Sequence, residues 1–327
     1  MNGRNAHFSQ RSTVLQLGHR LCTRFQRSFI SEGWRWALSL PYIWILLFFC
    51  VPFFIIAKVS FSETVAGIPP YGPLVSWVEG RYLQITLSLE PYLYIIRDPL
   101  YTTAYLSSLK VAFIATILTL LLGYPMAYGI SRTEGRVQWA LLVMVTLPFW
   151  TSFLIRVYAW IGILKPEGLL NSVLLWTGII ETPLEIYNTE VAVYIGLVYC
   201  YLPFMVFPLY ASLERMDMSL LEAAEDLGAK PCKVFLTVTL PLSMPGIIAG
   251  CALVFIPTIG EFVIPYLLGG ADTLMIGKVL WAEFFSNRDW PVASAVAVVM
   301  LFVLILPIGL FQRSRSVHGQ HLAGATE

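Results

Sequence analysis

Long apolar runs alternate with polar connections along most of the chain. Several runs reach about 20 residues with almost no charge, which is long enough for a helix to cross a hydrocarbon core about 30 Å thick. The pattern therefore predicts an all-α polytopic membrane protein with about six transmembrane helices. The predicted spans are 36–60, 104–130, 137–164, 190–213, 243–269 and 291–312.

Prolines lie inside several of these spans, and a proline both frees a backbone carbonyl and kinks the helix. A membrane tolerates such kinks where they pack against protein or line a water-filled cavity, and both interpretations remain open here. The prolines concerned are Pro52, Pro125, Pro148, Pro203, Pro257 and Pro307.

The composition agrees with a membrane location. Of 327 residues, 57% are hydrophobic and 13% are charged, whereas a soluble domain carries about 25% charged residues. The five cysteines have neither a Cys-x-x-Cys pair nor a metal-binding spacing, and several lie in predicted spans. Free thiols are therefore favoured over a disulfide framework. The polar stretch before the first span is too long for a cleaved signal peptide, so we expect an uncleaved anchor.

Lysine and arginine are distributed unevenly among the connections. Arginines dominate the stretch before the first span, and Arg132 and Arg136 follow the second, whereas glutamates dominate the connection after Lys165. The positive-inside rule therefore predicts that both termini lie in the cytoplasm. The polar stretch 218–246 then lies on the cytoplasmic side, and the long connection 61–103 lies outside. We expect that outer connection to fold as short extended or interfacial segments, and it is either a protein-docking surface or a solvated cap.

Chemistry typical of enzymes is missing from the sequence. All four histidines lie near the chain ends, so no imidazole is expected inside the membrane for metal binding or proton relay. Gly277-Lys278 lacks the upstream glycine of a phosphate-binding loop, and there is no His-Glu-x-x-His or Gly-x-Ser-x-Gly motif. No metal site and no nucleotide site are predicted. A membrane transferase that uses only carboxylates remains as a remote alternative.

The stretch 218–246 has the signals of a helix, a turn and a second helix. Ser219 and Glu222 have the spacing of a capping box. Gly228 supplies a left-handed residue that ends the first helix, and Pro231 suits the first position of the second. We expect that second helix to end near Leu240-Pro241.

The first of these helices has one apolar stripe, formed by Leu220, Leu221, Ala224 and Leu227. An amphipathic helix that lies on lipid usually carries Lys or Arg on its polar face. This one carries Glu222, Glu225 and Asp226 instead. A protein partner is therefore favoured over a lipid surface.

The same residues carry a family resemblance. Glu222-Ala223-Ala224, Gly228, Val238 and Leu240-Pro241 are similar in type and spacing to the EAA…G…(I/V)-x-Leu-Pro signature of ABC importer permeases. Val238 stands where isoleucine is usual. Several other stretches resemble the polyamine branch of that family, and they read LLGYPMAY, LPFWTSFLIRVYAWIGIL, IPTIGEFVIPYLLGG and VLWAEFFSNRDWPVASAVA.

The resemblance implies a type I importer permease fold in a bacterial inner membrane. The implied organisation is a cytoplasmic tail 1–35, a permease domain 36–312 with its core at about 100–312, a coupling loop 214–242, and a tail 313–327. The loop would contact an ATPase dimer through Glu222, Ala223, Ala224, Gly228, Leu240 and Pro241. Further implied partners are a second, similar permease and a periplasmic polyamine-binding protein. ATP and Mg²⁺ would bind the partner ATPase, so no cofactor is expected on this chain.

Glu261 is the acid that lies well inside a predicted span, where a carboxylate is costly and faces protein or water by default. A polyamine needs carboxylates for its ammonium groups and aromatic faces for its methylenes. Glu261 is therefore a candidate for a cation site on the transport path. The alternative is a structural ion pair with Arg156, and both interpretations remain open.

Aromatic residues near Glu261 are candidates for the same path, although most membrane aromatics are core or interface residues. The candidates are Trp150, Tyr158, Tyr201 and Tyr266, with Trp160 and Tyr199 beside them. Glu283 and Asp289 lie in a separate outward connection, WAEFFSNRDW. They either attract cations at the mouth of the path or contact the binding protein, or they are solvated surface acids.

The sequence leaves other functions open. The solute within the same family is putrescine-like or spermidine, or an anion such as sulfate, thiosulfate or phosphate, or ferric ion. An anion would favour Lys, Arg or helix N-termini in the path, and Arg156 is almost the only such residue in the spans. A stand-alone channel or secondary carrier is the alternative from a different class, and it would need no ATPase.

Overall fold

The computed structural model describes residues 39–78, 82–271 and 273–305. The predicted tails 1–35 and 313–327, and all four histidines, lie outside these residues. The described part is mostly helical, as the hydrophobic pattern predicts. The exception is one hairpin, in which β1 (Val75–Val78) pairs antiparallel with β2 (Tyr82–Ile85).

The first span is confirmed as helix α1, Ser39–Ser60. The chain divides at Lys58, and the residues up to it form a unit separate from the one that begins at Val59. A π-helical stretch at Leu46–Cys50 lies just before Pro52. A proline ring clashes with the carbonyl four residues earlier in a regular α-helix, and the wider π turn relieves that clash.

The connection 61–103 contains the hairpin and helix α2, Glu90–Arg97. Asp98 then caps the next helix, because its carboxylate accepts from the Leu100 amide at 2.9 Å. The extended segments expected in this connection are therefore present.

The remaining helices include the other predicted spans in their predicted order, with shifted ends, and shorter helices between them. They are α3 (Pro99–Ser131), α4 (Gly135–Thr146), α5 (Phe153–Leu164), α6 (Leu169–Trp176), α7 (Glu190–Glu214), α8 (Ser219–Asp226), α9 (Pro231–Ile259), α10 (Val263–Leu268), α11 (Ile276–Trp281) and α12 (Trp290–Ile305). Within the described part, four helices are long and apolar enough to cross a membrane, or five if one bent pair forms a single span. The sixth predicted span corresponds to α12, and its residues 306–312 lie outside the described part.

The third predicted span, 137–164, is broken rather than continuous. Gly135–Trp150 and Phe153–Trp176 meet at an angle of 92°. A 3-10 turn at Leu147–Trp150 contains Pro148 and precedes the break. The proline signal in the sequence therefore marks a sharp bend at Thr151-Ser152.

The fifth predicted span, 243–269, has the wrong bounds. Helix α9 starts at Pro231 and ends at Ile259, and Gly260–Phe262 separate it from the short α10. The second helix of the 218–246 stretch therefore does not end near Leu240-Pro241. A π-helical stretch at Phe235–Thr239 precedes Pro241 and lets the helix continue through it.

The core of the second unit lies where α3, α7 and α9 pack together. Gly246 and Gly250 of α9 permit this approach, because a Cβ atom on Gly246 would lie 2.6 Å from the Ser212 Cβ of α7. A Cβ atom on Gly250 would lie 2.7 Å from the sulfur of Met205. This close contact fixes α9 against α7, the two helices between which α8 lies in the chain.

Candidate functional site

The residues Asp217–Pro241, called the EAA segment below, form one candidate site. Helix α8 begins with a cap that differs from the predicted one. Asp217, not Ser219, caps it, because the Asp217 carboxylate accepts from the Ser219 amide at 3.0 Å. This contact lowers the pKa of Asp217 below its ordinary value. The capping box of Ser219 and Glu222 is therefore a wrong prediction in the described structure.

The end of α8 forms as predicted. Gly228 has a φ of 79°, a left-handed conformation that costs a β-branched residue far more than glycine. The Ala229 amide donates to the Ala224 carbonyl at 3.2 Å, and the Gly228 amide donates to the Glu225 carbonyl at 2.8 Å. This pair of bonds is a Schellman motif, which satisfies the last carbonyls of the helix.

The predicted apolar stripe of α8 divides between two faces. Leu221 is buried and Ala224 is half-buried, so these residues face the rest of the chain. Leu220, Ala223 and Leu227 are exposed. The exposed set has the helical spacing of one face, so α8 presents a small-residue and leucine surface away from its own chain.

The EAA segment is anchored to the end of α3 by aromatic contacts. The Phe235 ring meets the rings of Tyr124 and Tyr128 edge-on, at centroid distances of 5.6 and 6.4 Å. Arg132 lies over the Tyr128 ring and contacts the sulfur of Met218. The EAA segment therefore packs on the end of α3 through these side chains.

The other residues of the predicted coupling set are placed as follows. Glu222 and Ala223 are exposed on α8. Leu240 and Pro241 lie inside the continuous helix α9, where Leu240 is half-buried and Pro241 is exposed. A coupling role of these residues stays a prediction.

Glu261 forms the second candidate site, at the break between α9 and α10. One carboxylate oxygen accepts from the Val263 amide at 2.9 Å and from the Ile264 amide at 3.4 Å. The other accepts from the Tyr201 hydroxyl at 2.7 Å. Of the predicted path residues, the structure therefore brings Tyr201 and Glu261 into direct contact.

Arg156 does not pair with Glu261. Within the described part of the chain, the ion pair present is Lys110 with Glu190, at 3.4 Å. Arg156 is 8% exposed, and its guanidinium carbon lies 4.9 Å from the Phe149 centroid and 5.8 Å from that of Phe153. Its Nε and Nη1 atoms are buried without a hydrogen-bond partner among the described residues.

Aromatic rings connect these two charges. Phe149 meets Phe204 edge-on at 5.3 Å, and Phe204 lies 6.1 Å from the Tyr201 ring. Phe149 and Phe204 are 39% and 41% exposed, so part of each ring lies at the surface of this chain. The combined features are a carboxylate without a counter-cation, a hydroxyl, and accessible aromatic faces. Such a set can bind an alkylammonium group.

The other predicted aromatic residues lie on the outside of this chain. Trp150, Tyr158 and Tyr266 are 79%, 58% and 62% exposed. Trp160 and Tyr199 instead pack against each other at 5.3 Å beside a buried cluster. The place of these three residues on a path stays a prediction.

Glu283 and Asp289 are more enclosed than solvated surface acids would be. Glu283 is buried and accepts from the Tyr101 hydroxyl and the Asn287 amide group, both at 2.9 Å. Asp289 accepts from the Thr64 hydroxyl at 2.9 Å and lines a cavity of about 320 Å³ with Glu63. The solvated alternative for Glu283 is therefore wrong.

Sequence reasoning missed Asp217 and the rings of Phe149 and Phe204. The aspartate was detectable, because Asp ahead of a helix is a strong capping signal. Phe204 lies three residues after Tyr201 on the same helix face. The contact between Phe149 and Phe204 joins separate helices, and periodicity carries no signal for it. Among the described residues, no group of acids, histidines and cysteines is arranged for a metal ion.

The chain matches one family model, described as binding-protein-dependent transport system inner membrane component, over residues 119–314. It is 41% identical over 271 residues to the spermidine/putrescine transport system permease protein PotB of Escherichia coli, covering 83% of this chain and 94% of that protein. The protein with the same description in Haemophilus influenzae is 39% identical over 280 residues, covering 86% and 93%.

A solved structure with the same fold is a bacterial ABC transporter involved in the import of the acidic polysaccharide alginate. The TM-score is 0.60 with 18% identity, and the match covers 89% of this chain and 99% of that one. At this identity the likeness concerns the fold, which is that of an ABC importer permease.

Proposed function

The chain belongs to the family of binding-protein-dependent transport system inner membrane components, and from that premise we propose that it is the permease subunit of an ATP-driven polyamine importer. As a transport component it forms half of a path across the membrane, and a second, similar permease forms the other half. The solute is putrescine or spermidine, in keeping with the relatives' names.

The observation that carries the solute class is the environment of Glu261. A carboxylate inside a membrane protein normally pairs with a cation, yet its partners here are Tyr201 and two backbone amides. An ammonium group of the solute supplies the missing positive charge. The methylene chain then packs on the open faces of Phe204 and Phe149, where binding is firm enough for entry and weak enough for release.

Coupling to ATP hydrolysis is assigned to the EAA segment. The exposed Leu220, Ala223 and Leu227 offer a face on which an ATPase subunit docks, and Ala223 permits close approach of its backbone. Docking movements pass to α3 through Phe235 and to α9 through the continuous helix. Such coupling is reciprocal, so events at the outer face alter the affinity of the inner face for its partner.

The orientation follows from the same assignment. The EAA segment, 1–35 and 313–327 lie in the cytoplasm, and the hairpin with α2 lies outside. The outer surface around Asp289 and Glu63 receives a periplasmic polyamine-binding protein. ATP and Mg²⁺ bind the ATPase dimer rather than this chain.

The test is uptake by the complete importer in proteoliposomes that contain ATP. Labelled putrescine, spermidine and sulfate are compared for wild type and for Glu261→Gln, with Glu190→Gln as the matched control in the exposed ion pair. We expect uptake of the polyamines alone, loss of that uptake in Glu261→Gln, and little change in Glu190→Gln. Unchanged polyamine uptake in Glu261→Gln removes this residue from the path.

An anion is the alternative solute, and the unpartnered guanidinium of Arg156 is the observation that favours it. Sulfate uptake that Arg156→Gln abolishes would establish that alternative and overturn the polyamine assignment. A stand-alone carrier is distinguished by uptake that persists without any ATPase subunit.

A further inference from the structure

Two opposite charges, Arg156 and Glu261, lie on neighbouring elements of the membrane-spanning part of the chain and do not pair with each other. Helix α5, which carries Arg156, packs against α10, which Glu261 precedes. The described part contains no ion pair between them. Instead, a row of contacting rings, Phe149, Phe204 and Tyr201, links the surroundings of Arg156 to those of Glu261.

The position of Arg156 is unfavourable by itself. Its side chain is more than nine-tenths buried, and two of its nitrogen groups lack hydrogen-bond partners. Leaving a buried charged donor unpaired is costly. Contacts with the faces of Phe149 and Phe153 recover part of that cost. A carboxylate is the partner that a guanidinium binds best. The carboxylate of Glu261 precedes α10, the helix against which the helix of Arg156 packs.

The two charges also sit at the two helix breaks of this region. Arg156 follows the 92° bend at Thr151-Ser152, and it is clamped by one ring from each arm of that bend. Glu261 lies in the break between α9 and α10. A change at either break moves one charge relative to the other without unfolding a helix, which is how hinged segments switch.

We propose that Arg156 is an internal competitor of the transported cation for Glu261, and so determines how readily the importer releases its solute. In the arrangement described, Arg156 is withdrawn onto the phenylalanine rings and Glu261 is available to an ammonium group. In the alternate state of the cycle, closure of the bend brings the guanidinium to Glu261, and the ammonium group is displaced. This inference rests on the proposed function, because it takes Glu261 as the binding group.

The test uses the complete importer with Arg156→Gln, Arg156→Lys, Glu261→Gln and the double variant Arg156→Gln/Glu261→Gln. Two quantities are measured: the kcat and KM of labelled putrescine uptake, and the labelled putrescine retained by the complex after rapid removal of free label. For Arg156→Gln we expect about tenfold more retained label and about tenfold lower kcat, without a higher KM, since one lost charged contact of about 1.4 kcal/mol corresponds to a factor of ten.

The remaining variants separate competition from a structural role. Arg156→Lys keeps the charge but loses the planar guanidinium that stacks on Phe149 and Phe153, so it should lie between wild type and Arg156→Gln in both quantities. The double variant should behave as Glu261→Gln alone, because the residues act on one another. Lys110→Gln, in the exposed ion pair, is the control for removal of a positive charge.

Two results would overturn the proposal. One is lower retention together with lower kcat in Arg156→Gln, which makes Arg156 a part of the binding site. The other is additivity of the two single substitutions in the double variant. If Glu261→Gln alone is without effect, the path assignment fails instead, and the two failures are thereby distinguished.

Discussion

The EAA segment and the Glu261 site are built in opposite ways. The EAA segment is mostly exposed, and its helix ends are set by local contacts: Asp217 starts α8, Gly228 ends it, and Pro231 opens the next helix. The Glu261 site is half-buried and assembled from α7, α10 and the bend before α5, so its contacts join residues far apart in the chain.

This difference shows how one chain can separate two tasks. A segment held by local capping keeps its shape while its outer face binds and releases a partner. A site held by contacts between helices changes its shape whenever those helices move. The first suits transmission of a movement, and the second suits a change in solute affinity.

Reversal of the charge at Glu261 should have the largest effect. Glu261→Lys replaces the ammonium-binding group by a cation near Arg156, so attraction becomes repulsion. We expect polyamine uptake to fall by more than about a hundredfold, the size of losing one or two charge-assisted contacts. Uptake assays on the reconstituted importer measure this, with Glu190→Lys as the exposed control. Comparable losses in both variants would mean that the position of the charge is irrelevant.

Strain in the EAA segment should have the next largest effect. Gly228→Val forces a β-branched residue into the left-handed region at a cost of roughly 1–2 kcal/mol, although no atom lies within 4 Å to obstruct the side chain. Uptake should fall about tenfold because α8 is no longer ended correctly. Gly228→Asn tolerates this conformation and should retain most activity. Equal losses of uptake in Gly228→Val and Gly228→Asn would mean that any side chain at this position is harmful, whatever its tolerance of the left-handed backbone conformation.

Removal of one hydrogen bond at the Glu261 site should have a moderate effect. Tyr201→Phe keeps the ring that packs on Phe204 but leaves Glu261 with its two amide donors. A net contribution of about 1 kcal/mol per hydrogen bond predicts about a fivefold change in uptake. Phe204→Leu at the same site tests the ring separately. Unchanged uptake in both variants would show that the rings of Tyr201 and Phe204 are not part of the transport path.

The cap at Asp217 should have the smallest effect. Asp217→Ala removes the acceptor for the Ser219 amide, and uptake should fall slightly because the first turn of α8 frays. The lowered pKa of Asp217 means that the cap's stabilisation is present above the ordinary aspartate pKa and is lost as the pH falls through the lowered value. The difference in uptake between Asp217→Ala and wild type should therefore be constant around neutral pH and vanish in strong acid. A difference that changes near neutral pH would contradict this assignment.

The sequence was informative wherever local rules decide the structure. Apolar run lengths located the spans, Pro148 marked the bend, and Gly228 and Pro231 marked the turn of the EAA segment. The errors came from competing local signals. Asp217 and Ser219 are both good caps, and the choice between them depends on the path by which α7 leads into α8.

The Glu261 site was only partly predictable. The cost of a carboxylate inside a span identified Glu261, and aromatic composition included Tyr201. Whether Arg156 pairs with it depends on the angle between the arms of the bend and on the rings of Phe149 and Phe204. Such contacts between helices have no counterpart in hydrophobic periodicity, so the sequence could not decide between pairing and separation.

The separation of tasks is tested most directly by the ATPase rate of the complete importer, measured with and without the polyamine-loaded binding protein. Glu261→Gln should retain stimulation of ATP hydrolysis while it loses uptake, because the EAA segment is intact. Gly228→Val should lose stimulation and uptake together. Loss of stimulation in Glu261→Gln, or normal stimulation in Gly228→Val, would contradict the account.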